Sequence, residues 1–213
     1  MTKIFLIRHG ETEWNYNRRY QGHSDVALSE KGRYQAQQLK NRLAHEKIDV
    51  LYASDLGRAV ETAKIIAQEK DKEVSLDCRF RECHFGDWEG MTFQEIEEAY
   101  PNEIKLWTTK PGQLLIPGGE SFATLQKRAY KALLEVVKKH QGENIAIVAH
   151  GGTIRSLLCA ILDLDLDRAW QFKQDNTALN IISFHGESAI IETVNDCTHL
   201  LARAFPNCEN KVE

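Results

Sequence analysis

Short apolar runs alternate along this chain with longer segments in which apolar residues recur every three or four positions, the signature of strands alternating with amphipathic helices. Residues 3–7, 50–53 and 144–149 are apolar runs bounded by polar residues, and each reads as a buried strand. A shorter strand is predicted over residues 73–76. Two late strands, 178–184 and 189–193, flank His185-Gly186-Glu187, a hairpin-turn composition. Ser29 predicts an N-cap before a helix with Leu39 and Leu43 on one face. Ser54 and Asp55 are placed to cap a helix carrying Ala59, Thr62, Ala63 and Ile66. Thr92 and Glu95 have capping-box spacing, and that helix stops before Pro101. A long helix over residues 121–140 carries Phe122, Leu125, Ala129, Leu133 and Val136 as one stripe. Another covers residues 153–162. The Pro- and Gly-rich stretch 111–119 is a loop.

Strand–helix alternation predicts an α/β fold. No linker or low-complexity segment interrupts it, so residues 1–213 are expected to form a single domain. Residues from about 84 to 119 look like an insertion of helices and loop near a site, and whether they close as a lid is left open.

Composition narrows the function classes. Hydrophobic residues make up 42% and charged residues 27%, enough for a real core in a globular protein. The net charge is -4, the pI is about 6.1, and no Lys/Arg cluster stands out, so nucleic acid is not expected as a partner. The run at residues 4–7 is too short for a secretory core, and no apolar stretch spans a bilayer. A cytoplasmic chain without a membrane partner is expected. The cysteines (Cys78, Cys83, Cys159, Cys197, Cys208) form no C-x-x-C pair and read as reduced, buried thiols. No H-E-x-x-H or Cys/His spacing suggests a metal, and no cofactor is expected. A homodimer is left open.

One internal echo carries the chemistry. Residues 4–10 and 145–151 share a design, an apolar strand ending in His-Gly. Ligand sites in open α/β sheets lie beyond the carboxyl ends of the strands, so His9 and His150 can face each other there. Gly10 and Gly151 would let the backbone approach a ligand. A third strand delivers Arg58 at the start of a helix. Arg8, Arg58, His9 and His150 together suit a phosphate: guanidinium forks match its oxygens, and a neutral imidazole is a nucleophile near pH 7. Any one of these residues alone would read as a structural histidine or a solvated arginine. The combination points to phosphoryl transfer, with charge stabilisation supplied without a metal.

The run Arg8-His9-Gly10-Glu11-Thr12, continued by Glu13-Trp14-Asn15, resembles the signature of the histidine phosphatase superfamily, also called the phosphoglycerate mutase-like family. Further blocks are similar in order: Gln21-Gly22 with Leu28-Ser29-Glu30-Lys31-Gly32, residues 52–63, Glu82 with Phe85-Gly86-Asp87-Trp88-Glu89-Gly90, Pro117-Gly118-Gly119-Glu120-Ser121, and Val148-Ala149-His150-Gly151-Gly152. The resemblance covers nearly the whole chain and implies a three-layer α/β/α sandwich around a mixed, mostly parallel sheet. It implies that His9 attacks phosphorus, that Arg8, Arg58 and His150 surround the phosphoryl group, and that Asn15, Gln21, Gly22 and Gly151 help hold its oxygens. Glu82 is similar to the proton donor of the phosphatase branch, with Phe80 standing where the family often has Leu.

The resemblance leaves the reaction open between a hydrolase for a small phosphorylated metabolite and a cofactor-dependent mutase. The segment between Glu82 and His150 is shorter than in the mutases. Lys127, Arg128, Lys131, Lys138 and Lys139 within it read as a solvated helix face. Residues 85–96 are most similar to bacterial phosphatases, α-ribazole phosphatases of cobalamin assembly included, which makes α-ribazole 5′-phosphate the favoured substrate. Trp14, Tyr20, Phe85 and Trp88 could form a surface for its ring. A fructose-2,6-bisphosphatase-like activity and a non-catalytic phospho-ligand binding module are the other readings. His84 could line the pocket, and the remaining histidines read as structural or surface groups.

Overall fold

A computed structural model describes residues 1–68, 70, 72–186 and 188–201. Glu187 in the expected hairpin turn and Cys208 lie outside the described residues. Six strands, β1 (Thr2–Arg8), β2 (Val50–Ala53), β3 (Val74–Leu76), β4 (Asn144–Ala149), β5 (Leu179–His185) and β6 (Ser188–Asp196), form one sheet in the order β3-β2-β4-β1-β5-β6. β3, β2, β4 and β1 pair in parallel, β5 runs antiparallel to β1, and β6 antiparallel to β5. The sheet is therefore mixed and mostly parallel.

Period-2 alternation along β1 sorts its side chains between two layers. Ile4 and Leu6 pack with Leu133 and Val136 of α6 (Phe122–Lys139) and Leu157 and Leu158 of α7 (Gly151–Ile161). Phe5 and Ile7 pack on the other face with Leu39 of α2 (Glu30–Arg42), Leu43 just after it, and Ala59, Ala63 and Ile66 of α3 (Gly57–Ala67). All four β1 side chains are essentially inaccessible, each contributing roughly 1.5–3 kcal/mol of burial. Covering both faces is what makes β1 and β4 read as continuous apolar runs.

A third cluster lies outside the sandwich. Trp88, Ile96 of α4 (Phe93–Ala99), Ile104 and Trp107 of α5 (Pro101–Thr109), Leu114 and Ile116 pack against Phe122, Leu125 and Cys159. Residues 84–119 thus carry their own apolar core, seated on α6 and α7. Pro101 ends α4 and opens α5 at its first turn, where the missing N–H costs nothing. The sequence pattern does not predict α5 as a separate helix, nor the four-residue α1 (Glu13–Tyr16), whose Thr12 makes a capping box with Asn15.

Two local expectations are corrected. Helix α3 has Leu56 as its N-cap and no side-chain cap from Asp55; Ser54 Oγ accepts only the Leu56 N–H, at 3.4 Å. Asp55 is drawn into a two-point ion pair with Arg81, at 2.7 and 2.6 Å, and Asp25 accepts the Gly57 N–H at 2.7 Å instead. Among the thiols, Cys83 and Cys159 are buried as expected, whereas Cys78 is exposed and Cys197 only partly covered. No described helix is long and apolar enough to cross a membrane.

Candidate active site

Parallel pairing places Arg8 beside Ala149, so His9 and His150 leave the sheet side by side. The His9 N–H donates to the Ala149 carbonyl at 3.0 Å. The rings are 5.1 Å apart at their centroids, and the residues are 3% and 0% exposed. Their hydrogen bonds assign opposite tautomers. His9 Nδ1 lies 2.7 Å from the Gly10 carbonyl, which can only accept, so Nδ1 carries the proton and Nε2 keeps its lone pair. His150 Nδ1 lies 3.3 Å from Arg58 Nε, which can only donate, so the His150 proton sits on Nε2. That Nε2 is buried without a partner among the described residues. Burial, reinforced by the nearby Arg58, pushes both imidazoles well below the ordinary histidine range. Both are neutral at pH 7, one presenting a lone pair and the other an N–H.

The guanidiniums are held from behind. Arg58, fully buried, donates to the carbonyls of Gly22 at 2.7 Å and Ser24 at 2.8 Å. Gly22 has φ +52°, and a Cβ there would lie 2.1 Å from a Glu89 carboxylate oxygen, so only glycine fits this turn. Arg8 donates to the Gln174 carbonyl at 2.6 Å, and the Gln174 side chain is locked in a reciprocal amide pair with buried Asn180. Arg8 Nε is buried without a partner among the described residues. Burial lowers both guanidinium pKa values to about 10, helped for Arg8 by Arg155, so both stay charged at neutral pH. Two buried cations with a donor to spare are a pocket that gains from an anion.

A cavity of about 190 Å³ is walled by Arg8, His9, Asn15, Gln21, Arg58 and Glu82, with His150 fully buried beside His9 and not part of the wall. The Asn15 side-chain oxygen accepts from the Thr12 N–H and the Asn176 amide, both at 3.1 Å, and the Gln21 oxygen from the Thr12 hydroxyl at 3.0 Å. With both oxygens occupied, both amides are left with N–H groups to offer. Glu82 sits at the start of α7: its carboxylate accepts the N–H groups of Cys83 at 2.9 Å, Gly152 at 3.0 Å and Thr153 at 3.2 Å. Gly151 is the first residue of that helix, packed beside Arg8 and Arg155. Gly22 lies behind Arg58 and is not part of the cavity wall. Gly10 makes its close backbone approach to Gly32 of α2.

The outer wall is formed by Arg18, Arg19, Tyr20 and Phe85. Trp88 is buried in the cluster of residues 84–119 and Trp14 packs against Gly90, so neither faces the cavity. His84 is outside the cavity wall, 3.7 Å from Glu89, with its ring tilted against His23 at 4.8 Å between centroids. The sequence reading missed Asn176, which bridges the His9 carbonyl and Asn15 at 3.1 Å each. It missed Arg155, whose Nε donates to the Phe172 carbonyl at 2.8 Å beneath Arg8. It also misplaced Arg128, which points inward from α6 and is only 21% exposed at its side chain. A helical stripe locates a face, and it does not say what a long side chain at the edge of that face reaches. Among the described residues no group of three or more His, Cys, Asp or Glu is placed to hold a metal ion.

Residues 4–197 match the model of the histidine phosphatase superfamily (branch 1). Phosphoserine phosphatase 1 of Hydrogenobacter thermophilus is 38% identical over 94% of this chain and 95% of its own length. Phosphoglycerate mutase-like protein 4 of Arabidopsis thaliana is 41% identical over 95% of this chain and 89% of its own. The solved structure of phosphoserine phosphatase from Entamoeba histolytica in complex with 3-phosphoglyceric acid superposes with a TM-score of 0.86 at 33% identity, covering 94% of this chain and all of that one.

Proposed function

Since the chain belongs to the histidine phosphatase superfamily, we propose that it hydrolyses a small phosphomonoester through a phosphohistidine formed on His9. The observation that carries the reading is the pair of contacts, His9 Nδ1 to the Gly10 carbonyl and Arg58 Nε to His150 Nδ1, that assigns the two imidazoles opposite tautomers. His9 Nε2 offers its lone pair to phosphorus, while Nδ1–H is anchored on Gly10 and stabilises the charge that develops on the ring. The His150 Nε2–H, the guanidiniums of Arg8 and Arg58 and the amides of Asn15 and Gln21 converge on the oxygens of the phosphoryl group. Glu82 protonates the ester oxygen as the P–O bond breaks. It then takes a proton from the water that attacks the phosphohistidine, releasing phosphate and restoring His9. Two guanidiniums and a neutral donor neutralise the equatorial charge without a metal.

For the substrate we favour a three-carbon phosphomonoester bearing a carboxylate, of the phosphoserine and 3-phosphoglycerate class. A cavity of about 190 Å³ is below the roughly 300–1,000 Å³ typical of drug-sized ligands. Arg18 on the outer wall supplies positive charge where a substrate carboxylate would emerge, beside an Arg19 already paired with Glu95, and the relatives with phosphoserine and 3-phosphoglyceric acid in their names support the same class. α-Ribazole 5′-phosphate is less well served, because only Tyr20 and Phe85 of the expected aromatic surface face the cavity. The mutase reading draws support from the Arabidopsis relative.

Phosphate release by wild type and His9→Ala, with EDTA present, tests the proposal. The panel is phosphoserine, 3-phosphoglycerate, α-ribazole 5′-phosphate, fructose 2,6-bisphosphate and p-nitrophenyl phosphate. Release by wild type, an acid-labile phosphate on its His9, and a loss of at least about 10³-fold in the variant are expected. Equal rates for both proteins would remove His9 as nucleophile. Turnover of 3-phosphoglycerate to its isomer only with a bisphosphate primer would make the chain a mutase.

A further inference from the structure

Arg128 stands in α6, outside the cavity wall, and hydrogen-bonds to none of the groups that meet phosphate. All five of its N–H groups are nevertheless committed. Nη1 donates to the carbonyls of Arg79 at 2.8 Å and Arg81 at 2.9 Å. Nη2 donates to the carbonyl of Glu82 at 2.6 Å and to Glu120 Oε1 at 2.6 Å, and Nε donates to Glu120 Oε2 at 3.2 Å. Glu120 accepts the His84 N–H at 2.9 Å in addition. The Arg128–Glu120 pair therefore grips the backbone on both sides of Glu82, by three carbonyls up to and including its own and by the amide two residues beyond it.

The Glu82 segment is irregular chain just after a three-residue 3-10 turn (Cys78–Phe80), with no sheet ladder to fix it. Its side chain meets α7 under tight tolerance: a Cβ on Gly152 would come within 2.4 Å of Glu82 Oε1. Thr153 Oγ1 donates to the Arg81 carbonyl at 2.9 Å, completing the tie to α7. A carboxyl group that must reach one ester oxygen cannot tolerate a wandering backbone, because an error of about 1 Å costs a rate factor of about 10². Five donors in a rigid plane can hold three carbonyls and a carboxylate at once. A lysine ammonium has three donors and cannot.

We propose that Arg128, with Glu120 as its counter-ion, is a positioning residue that sets the Glu82 carboxyl for proton transfer to the leaving group. The inference rests on Glu82 being the proton donor. A leaving group such as p-nitrophenolate departs without a proton, whereas an alkoxide does not, and that difference separates positioning from general structural damage.

The experiment compares wild type, Arg128→Lys, Glu120→Gln, Glu82→Gln and the double variant Glu82→Gln/Arg128→Lys in the full chain, with Lys127→Ala as an exposed control on the same helix. The rate of His9 phosphorylation is read in single turnovers with alkyl esters (phosphoserine and glycerol 3-phosphate) and with p-nitrophenyl phosphate. Arg128→Lys is expected to lose roughly 10–100-fold on the alkyl esters and less than about 3-fold on the aryl ester. Glu120→Gln should follow the same pattern more weakly, and Lys127→Ala should match wild type. In the Glu82→Gln background the Arg128 change should add nothing, since the group it positions is gone. Equal losses on both ester types, or additive losses in the double variant, would overturn the positioning role while leaving Glu82 as the acid. A Glu82→Gln protein that phosphorylates on alkyl esters as fast as wild type, or a wild type that cleaves none, would overturn both assignments.

Discussion

The two sides of the cavity are built by different means. The phosphate side hangs from the sheet: His9 and His150 step off neighbouring parallel strands, and the His9 backbone is fixed by Ala149, Thr177 and Asn176. The leaving-group side is irregular chain. The Glu82 carbonyl is held by Arg128 and the next residues by carboxylates, Glu120 on the His84 N–H and Glu89 on the Phe85 N–H, while Tyr20 exchanges backbone bonds with Gly90 and Met91. Strand ends are placed by a ladder whose register is set by burial on both faces. Irregular segments are placed by particular donors and acceptors, and each such contact is a point at which substrate preference can change without disturbing the phosphate pocket. The difference fits relatives that are similar along nearly the whole chain while carrying names as different as phosphoserine phosphatase and phosphoglycerate mutase-like protein.

The largest effect that would test this division is at Arg58. It is fully buried on the phosphate side, where its Nε meets His150 while its other nitrogens donate to the Gly22 and Ser24 carbonyls. Arg58→Lys keeps the charge and loses the fork. A fall in kcat/KM on the order of 10²–10³-fold is expected, equal for alkyl and aryl esters, because the lost donors act on the phosphoryl oxygens. Steady-state kinetics on both ester types reads it. A loss confined to alkyl esters would move Arg58 to the leaving-group side and undo the division.

Next in size is Gly152→Ala. Alanine is the better helix former by up to roughly 1 kcal/mol, which offsets the about 1 kcal/mol lost when the Glu82 carboxylate no longer caps the Gly152 and Thr153 N–H groups, so the thermal midpoint should change little. The added methyl would stand 2.4 Å from Glu82 Oε1, and the carboxyl must move. A loss of roughly 10–100-fold on alkyl esters with little change on p-nitrophenyl phosphate is expected. An enzyme that keeps its alkyl activity would show that Glu82 works from another position.

The same contrast explains what could be read from the sequence. His9 and His150 are legible because a buried parallel strand is a continuous apolar run, and its last residue lies at the ligand edge. The sheet, α2, α6 and the two-layer core follow from periodicity. Arg128 was not legible: on a helix mostly exposed at neighbouring Lys127 and Lys131 it looks like one more solvated cation, and its partners are carbonyls whose positions no residue pattern encodes. Asn176 and Asn180 were hidden for a similar reason, since a single amide in a strand or loop has no spacing to betray it. The cap of α3 was misread because the nearest polar residues, Ser54 and Asp55, were preferred to Asp25, 32 residues earlier in the chain.

That misplaced cap supplies the smallest expected effect. Gly22, Ser24 and Asp25 belong to one loop that holds Arg58 by two carbonyls and the start of its helix by a carboxylate, 2.7 Å from the Gly57 N–H. Asp25→Ala removes the carboxylate alone. Loss of an N-terminal cap costs about 1 kcal/mol, which for a chain of 213 residues lowers the thermal midpoint by roughly 2–4 °C. Because the Gly22 and Ser24 carbonyls remain, kcat/KM on both ester types should stay within about 3-fold of wild type, the range expected when a contact outside the reacting groups is lost. A calorimetric scan beside the kinetics decides the matter. A stable variant with strongly reduced activity on every ester would mean that the loop orders Arg58 through Asp25, and that the phosphate side depends on irregular chain as much as the leaving-group side does.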